Sequence, residues 1–268
     1  MSVDQPLDAT SAPRAKRRPE GKLPVFAARP GGPAERFADA LGSRHPALVF
    51  FVALLGGFLL LLVTSILLGL LIMHVLASGS GLGLAGEDQS FIEELVDERS
   101  GTLTTVSEVV SQVGGAPVLP IIVGIIGSYC AFTRRWLLAA FAVFVLLAES
   151  AAYHFTSIVV PRDRPSVNRL EDLPVDASYP SGHTAASVAV YSGLVLLLTA
   201  SITGSVKKAL AWTCAILLTT FVALSRMYRG MHHPLDVAGG VLVGIGAILL
   251  LLFACRASSA AAERRSRS

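Results

Sequence analysis

Charge is what this chain has least of. Only 15% of its 268 residues are Asp, Glu, Lys or Arg, against 53% apolar side chains, and its mean hydropathy is +0.62. So little charge excludes an ordinary water-soluble domain and points to a multi-span membrane protein. Cysteine is scarce as well. Cys130, Cys214 and Cys255 are odd in number, lie in apolar runs and lack metal-ligand spacing, which excludes a disulfide framework and a cysteine-based metal centre. They read as buried free thiols. The net charge of +3 is too small for a nucleic-acid-binding surface. There is no internal repeat, and no carboxylate-rich cluster suited to magnesium.

What the chain does have is long hydrocarbon runs. Leu48–Ala77 is nearly unbroken and exceeds the roughly 20 residues needed to cross a bilayer core. It is also much longer than the hydrophobic region of a secretory signal, so it reads as a retained first span. Val109–Phe132 is a second, interrupted by Gly114, Gly115, Pro117 and Pro120, so that its helix is expected to begin near Pro117. Trp136–Val160 is a third and carries Glu149 and His154, ionisable groups that are costly at this depth. Either they stand near a polar site or they are paired packing residues. Gly182–Ile202, Ala209–Leu224 and Val237–Cys255 complete an all-α integral membrane bundle of about six transmembrane helices. Residues 1–45, rich in Pro, Gly, Ala and Arg, read as a disordered basic tail, 46–255 as the membrane domain with its core at 136–255, and 256–268 as a second basic tail.

The basic residues sort the loops. The amino-terminal cluster, Arg134 and Arg135, Lys207 and Lys208, and the carboxyl-terminal arginines fall on alternate sides of six spans. By the positive-inside rule these are cytoplasmic, as are both termini of this multi-pass chain in the cell membrane. A Gly/Ser-rich linker at 79–86, an acidic stretch from Glu87 to Glu98 that suits a short helix along the outer surface, the 160–180 loop and Ser225–Asp236 all emerge opposite.

Those outer loops collect unusual chemistry. Ser225–Asp236 reads SRMYRGMHHPLD. Arg226 offers a planar fork suited to phosphate oxygens, and His232 is a nucleophile or acid/base near neutral pH. Asp236 is four residues on, within reach of the imidazole if a helix starts at Pro234. Arg164 precedes Pro165 in the 160–180 loop, and Pro180-Ser181-Gly182-His183 opens the fourth span, where a helix N-terminus favours an anion. Gly182 allows close backbone approach, Ser181 adds a hydroxyl donor and His183 can donate a proton. Two arginines, two histidines, a serine and a helix N-terminus fit phosphoryl transfer through a phosphohistidine: donors hold the phosphate oxygens, one histidine attacks and the other protonates the leaving oxygen.

At these residues the chain resembles the type-2 phosphatidic acid phosphatase family, which shares its site with vanadium haloperoxidases. Its pattern has three parts: Lys, six residues, Arg-Pro; then Pro-Ser-Gly-His; then Ser-Arg, five residues, His, three residues, Asp. The second part is complete at Pro180–His183 and the third at Ser225, Arg226, His232 and Asp236. The resemblance spans about residues 136–255 and implies a six-helix membrane fold. It also implies His232 as nucleophile, Asp236 as its orienting partner and His183 as general acid. Arg164, Ser181, Gly182 and Arg226 would bind phosphate, with no cofactor and no metal. Ser225 reads as structural. The first part departs, since Ser157 occupies the lysine position; Arg229 or Arg162 is the expected compensating cation.

The implied activity is hydrolysis of a lipid phosphate or diphosphate, such as a polyprenyl diphosphate, a phosphatidate or phosphatidylglycerol phosphate, at the outer leaflet. The implied partners are that substrate and the surrounding membrane lipids. A phosphotransferase using the same intermediate, a vanadate-dependent haloperoxidase and a non-catalytic lipid-phosphate binder are the alternatives.

Overall fold

The structure is a computed structural model that describes residues 23–76, 84–172 and 177–267. The runs of apolar sequence become helices long enough to cross a membrane, six among the described residues. The first span joins α2 (Pro46–Leu71) to a π turn at Ile72–Leu76. Pro46 opens it, with the His45 side chain accepting from the Ala47 N–H at 3.2 Å, as expected of a proline in a first helical turn. The second span is α4 (Gly101–Val113) followed by α5 (Val118–Phe132). It starts earlier than the sequence reading expected, because Ser100 caps α4 by accepting from Leu103 N–H at 3.3 Å, and the Gly114–Pro117 break falls within it. The third span is α6 (Trp136–Val159). The fourth runs through α7 (Gly182–Ser187), a π turn at Val188–Ser192 and α8 (Gly193–Thr199). The last two are α9 (Ser205–Tyr228) and α10 (Pro234–Arg265).

Other sequence expectations change as well. Ser225 and Arg226 belong to the last turn of α9 rather than to a loop. α10 runs on to Arg265 instead of ending near Cys255, because Ala257–Ala262 is strong helix-forming sequence and most of it is buried. What it packs against includes residues 23–45, read as part of a disordered tail. A 3-10 turn at Pro24–Phe26 and α1 (Pro33–Ala40) lie on α10, with Arg256 Nε donating to the Val25 carbonyl at 2.9 Å and Arg264 paired with Asp39. Residues 1–22 and most of the linker at 79–86 lie outside the described residues. Cys130 and Cys255 are buried free thiols, but Cys214 is exposed on the outer side of α9, where an apolar neighbour would be lipid.

α10 is the central element: it packs on α2, α6, α7 and α1. The core between them is built from Phe50, Phe141, Val145, Leu251 and small residues such as Ala53 and Ala247. Large apolar side chains such as Leu60, Ile125, Leu210 and Leu249 are left pointing outward, the inverse of a soluble domain and the pattern that lipid requires. Nearer the amino-terminal end of α10, Tyr179 wedges between α2 and α10. A Cβ at Gly69 or Gly239 would lie 2.6 or 2.3 Å from its ring. That ring anchors the 160–181 loop, and with it the residues described next.

Candidate active site

The site forms where the carboxyl-terminal ends of α6 and α9 meet the amino-terminal ends of α7 and α10. α9 stops in a Schellman turn: Met231 N–H returns to the Arg226 carbonyl at 3.0 Å and Gly230 N–H to Met227 at 2.9 Å. Gly230 has φ of +72°, a conformation that an L side chain rarely adopts, and it reverses the chain so that His232 points back into the bundle. α10 then starts at Pro234. Asp236, at its third position, accepts from the His233 backbone N–H at 2.8 Å and from its ring at 3.3 Å.

His232 and His183 line the same cavity, of about 430 Å³, together with Gly115, Leu119, Leu146, Glu149, Tyr153 and Gly182. A larger cavity of about 700 Å³ lies between α2 and α10. Its lining is apolar apart from Thr64 and Ser65 and holds no titratable side chain, so the chemistry belongs to the smaller one. His232 Nδ1 lies 2.7 Å from the Ser178 carbonyl oxygen. A carbonyl can only accept, so Nδ1 carries the proton and Nε2 keeps its lone pair. The sequence reading gave this orienting task to Asp236. Instead Asp236 stands 4.0 Å from Nδ1 and spends its carboxylate on Arg162 and His233. What it supplies to His232 is negative charge at short range. Burial, then Arg226, and more weakly Arg164, hold the His232 imidazole well below its ordinary range, with Asp236 opposing them.

Arg226 is fully buried. Its Nη1 donates to Ser111 Oγ at 2.6 Å and to Glu171 at 2.7 Å, whereas Nε and Nη2 have no partner. An unpartnered guanidinium edge in a protein interior is costly unless a ligand completes it. Arg164 behaves differently. Its Nη1 donates to Met231 O at 2.6 Å and its Nη2 to Ala177 O at 3.1 Å, so it ties the segments carrying His232 and Ser178 together and brings its charge with it. Ser181, the N-cap of α7, is buried, faces Thr184 Oγ1 at 2.9 Å and donates its backbone N–H to the Asp236 carbonyl at 3.0 Å. Gly182 opens α7 against the Tyr153 ring; a Cβ there would lie 3.1 Å from it. The first N–H groups of α7 have no intrahelical acceptor. Ser225 bonds back to Val222 O at 2.7 Å.

Both expected substitutes for the missing lysine are engaged by protein acceptors. Arg162 is held between Asp236 and Asp88, the latter at 2.5 Å. Arg229 places Nε on Glu171 at 2.5 Å, Nη1 on Ser107 at 3.3 Å and Nη2 on Leu170 O at 3.1 Å. Ser157 is buried and donates to His154 O at 2.8 Å. Three participants were not singled out from sequence. Glu171 bridges Arg226 and Arg229; burial alone would raise its proton affinity, but the two arginines overcome that and hold it below the usual carboxylate range. Asp88, near the start of α3 (Leu84–Asp97), turns inward from the acidic stretch to pair with Arg162 and accept from Leu235 N–H at 3.1 Å. The Ser178 carbonyl has no side-chain signature at all. Among the described residues, no three His, Cys, Asp or Glu side chains gather into a cluster able to hold a metal.

A sequence model of the PAP2 superfamily matches residues 123–258. Curated relatives include an undecaprenyl-diphosphatase of Sulfolobus acidocaldarius, 33% identical over 40% of this chain and 48% of its own length. Another is a decaprenylphosphoryl-5-phosphoribose phosphatase of Mycobacterium tuberculosis, 28% identical over 59% of this chain and 84% of its own. The chain thus spans about half the length of the first of these. Among solved structures, a transmembrane PAP2-type phosphatidylglycerolphosphate phosphatase from Bacillus subtilis superposes with a TM-score of 0.61 at 22% identity, over 72% of this chain and 93% of that one. The family match covers the segments that carry both histidines, Arg226 and Asp236, on a membrane scaffold of similar fold, and the chain belongs to the PAP2 superfamily.

Proposed function

We propose that this protein is a lipid phosphatase working through a phosphohistidine on His232. The observation that carries the reading is the meeting of His183 and His232 in one cavity beside Arg226, whose buried Nε–Nη2 edge lacks a partner. That edge and the first N–H groups of α7 hold the phosphate oxygens, with the charge of Arg164 nearby. His232 Nε2 attacks phosphorus in line while Nδ1–H stays on the Ser178 carbonyl. As the bond to the leaving oxygen breaks, that oxygen takes a proton from His183. The imidazolium of the phosphohistidine is balanced by Asp236 at 4.0 Å. Water then attacks phosphorus, giving a proton to His183 as the P–N bond breaks, and inorganic phosphate leaves.

The substrate is a lipid phosphate or diphosphate, with its tail in the hydrocarbon beside α5 and α6, since apolar Leu119 and Leu146 line the cavity that holds the histidines. The relatives' names, an undecaprenyl-diphosphatase and a decaprenylphosphoryl-5-phosphoribose phosphatase, support this class. The site faces the extracytoplasmic side of the cell membrane with both termini in the cytoplasm, because Arg134, Arg135, Lys207 and Lys208 lie at the opposite end of the spans. Purified protein in detergent should release phosphate from members of a lipid phosphate panel, and His232→Ala should not. Transfer of the phosphoryl group to another lipid instead of water would make it a transferase, and equal release by the His232→Ala variant would overturn the reading.

A further inference from the structure

Glu149 is unexplained by the chemistry above. It lies midway along α6, is 1% exposed, and uses Oε2 to accept from Ser150 Oγ at 3.1 Å, whereas Oε1 has no hydrogen-bond partner. A carboxyl group half satisfied at this depth is expensive, and such groups persist where a ligand or pathway completes them. Its surroundings identify the ligand. Glu149 lines the cavity that holds His183 and His232, about 6 Å (one turn) deeper along α6 than Tyr153. The Tyr153 ring in turn packs on Gly182, next to His183. Leu119, Pro120, Leu146 and Ala186 add apolar surface to the lining, and Ser150 and His154 are its other polar side chains on α6. From the reacting phosphorus inward, a substrate therefore meets Tyr153, then Glu149, among apolar side chains.

We propose that Glu149 is a specificity-determining residue: its free Oε1 binds a hydroxyl group on the leaving alcohol, close to the phosphoester carbon. A hydroxyl both donates and accepts, so it completes a carboxyl group in either protonation state. A plain hydrocarbon leaving group offers nothing to Oε1 and leaves it orphaned. The site thus favours phosphomonoesters of hydroxylated lipids, in which a glycerol-, sphingoid- or sugar-like alcohol separates phosphate from tail. This inference rests on the phosphatase reading.

The test compares hexadecyl phosphate with its analogue hydroxylated on the carbon next to the phosphoester carbon, by phosphate release from the full-length protein in detergent. The wild-type chain is expected to prefer the hydroxylated lipid in kcat/KM by about tenfold, the worth of one hydrogen bond. In Glu149→Leu that ratio should collapse toward one. Glu149→Gln, which retains an acceptor and a donor, should keep most of it. A purely structural role would lower both rates together and leave the ratio unmoved. A wild-type ratio near one, or an unchanged ratio in Glu149→Leu, overturns the subsite alone; if the leucine variant does not fold, the wild-type and glutamine ratios decide. No release from either lipid, or from any lipid phosphate, overturns the phosphatase reading and the subsite with it.

Discussion

Arg162→Leu is expected to damage the fold more than any other single change at the site's periphery. The guanidinium is 9% exposed and stands between Asp88 and Asp236, whose side chains are 3% and 0% exposed. Removing it strands two carboxylates in a desolvated interior. Asp88 retains only the Leu235 N–H, and Asp236 the His233 backbone and ring. Breaking one partner out of a buried ion pair costs about 3–5 kcal/mol. For a protein of this size that is about 6–20 °C in apparent melting temperature. The companion variant fixes the cause. Adding Asp88→Leu to Arg162→Leu removes one stranded charge and forfeits about 1 kcal/mol for the lost acceptor of Leu235 N–H, so the double variant should melt above the single one. Thermal unfolding in detergent reads both. A single variant that melts with the wild type, or a double variant less stable than the single, would refute the assignment of Arg162 to holding the α3–α10 junction.

Three further outcomes follow from the same geometry. Because burial and Arg226 depress the His232 imidazole, its neutral form persists as pH falls through the ordinary value of 6.5, so NMR of the histidine-labelled free protein should show no protonation of His232 between about pH 7.5 and 6; a ring signal that titrates with a midpoint near 6.5 and is absent from His232→Ala would contradict this. By linkage the same depression makes the fold lose stability as pH drops below 6.5. Glu171 has the opposite sign: a depressed carboxylate contributes stability fully above its ordinary 4.5, lost as pH falls through its lowered value. Glu171→Gln should therefore melt lower at neutral pH, and inorganic phosphate should raise its melting temperature more than that of wild type, since Arg226 and Arg229 lose their shared anion; equal shifts would count against the bridge. Gly115→Ala would place a Cβ 2.5 Å from His183 Nε2 and push the ring out of line. A roughly hundredfold loss of kcat with near-normal stability is expected, and wild-type turnover would show that His183 is not the group that protonates the leaving oxygen.

The spans and the two histidine segments were legible in the sequence for a physical reason: each is written in consecutive residues. A run such as Leu48–Ala77 has only one inexpensive place to go, and Pro234 with Asp236 marks a helix start by local rules. Helix ends were less legible. Ser100 and the Ala-rich Ala257–Ala262 carry α4 and α10 past the limits that hydropathy suggests, because capping and burial against residues 23–45 decide them. Partners that meet only in the fold were not legible. Asp88 is one acid among several in its stretch, Glu171 is one of two adjacent loop carboxylates, and the acceptor for His232 is the backbone oxygen of Ser178. Asp236 stands 4.0 Å from His232, short of a hydrogen bond, for the same reason: four residues of separation permit the contact, but Arg162, from another loop, shares the carboxylate. The cost of Glu149 within a span is legible in the sequence, and what it faces is set by the cavity that the fold builds around it.

The most direct test is to look for phosphate on the imidazole. Protein mixed with a lipid bearing a labelled phosphate, then quenched in alkali within a turnover, should carry label that survives base, is lost in acid and maps to His232. The same treatment of His232→Ala should give none. Steady phosphate release with no label on His232 at any quench time, or label on that variant at the wild-type level, would show that the attacking group lies elsewhere.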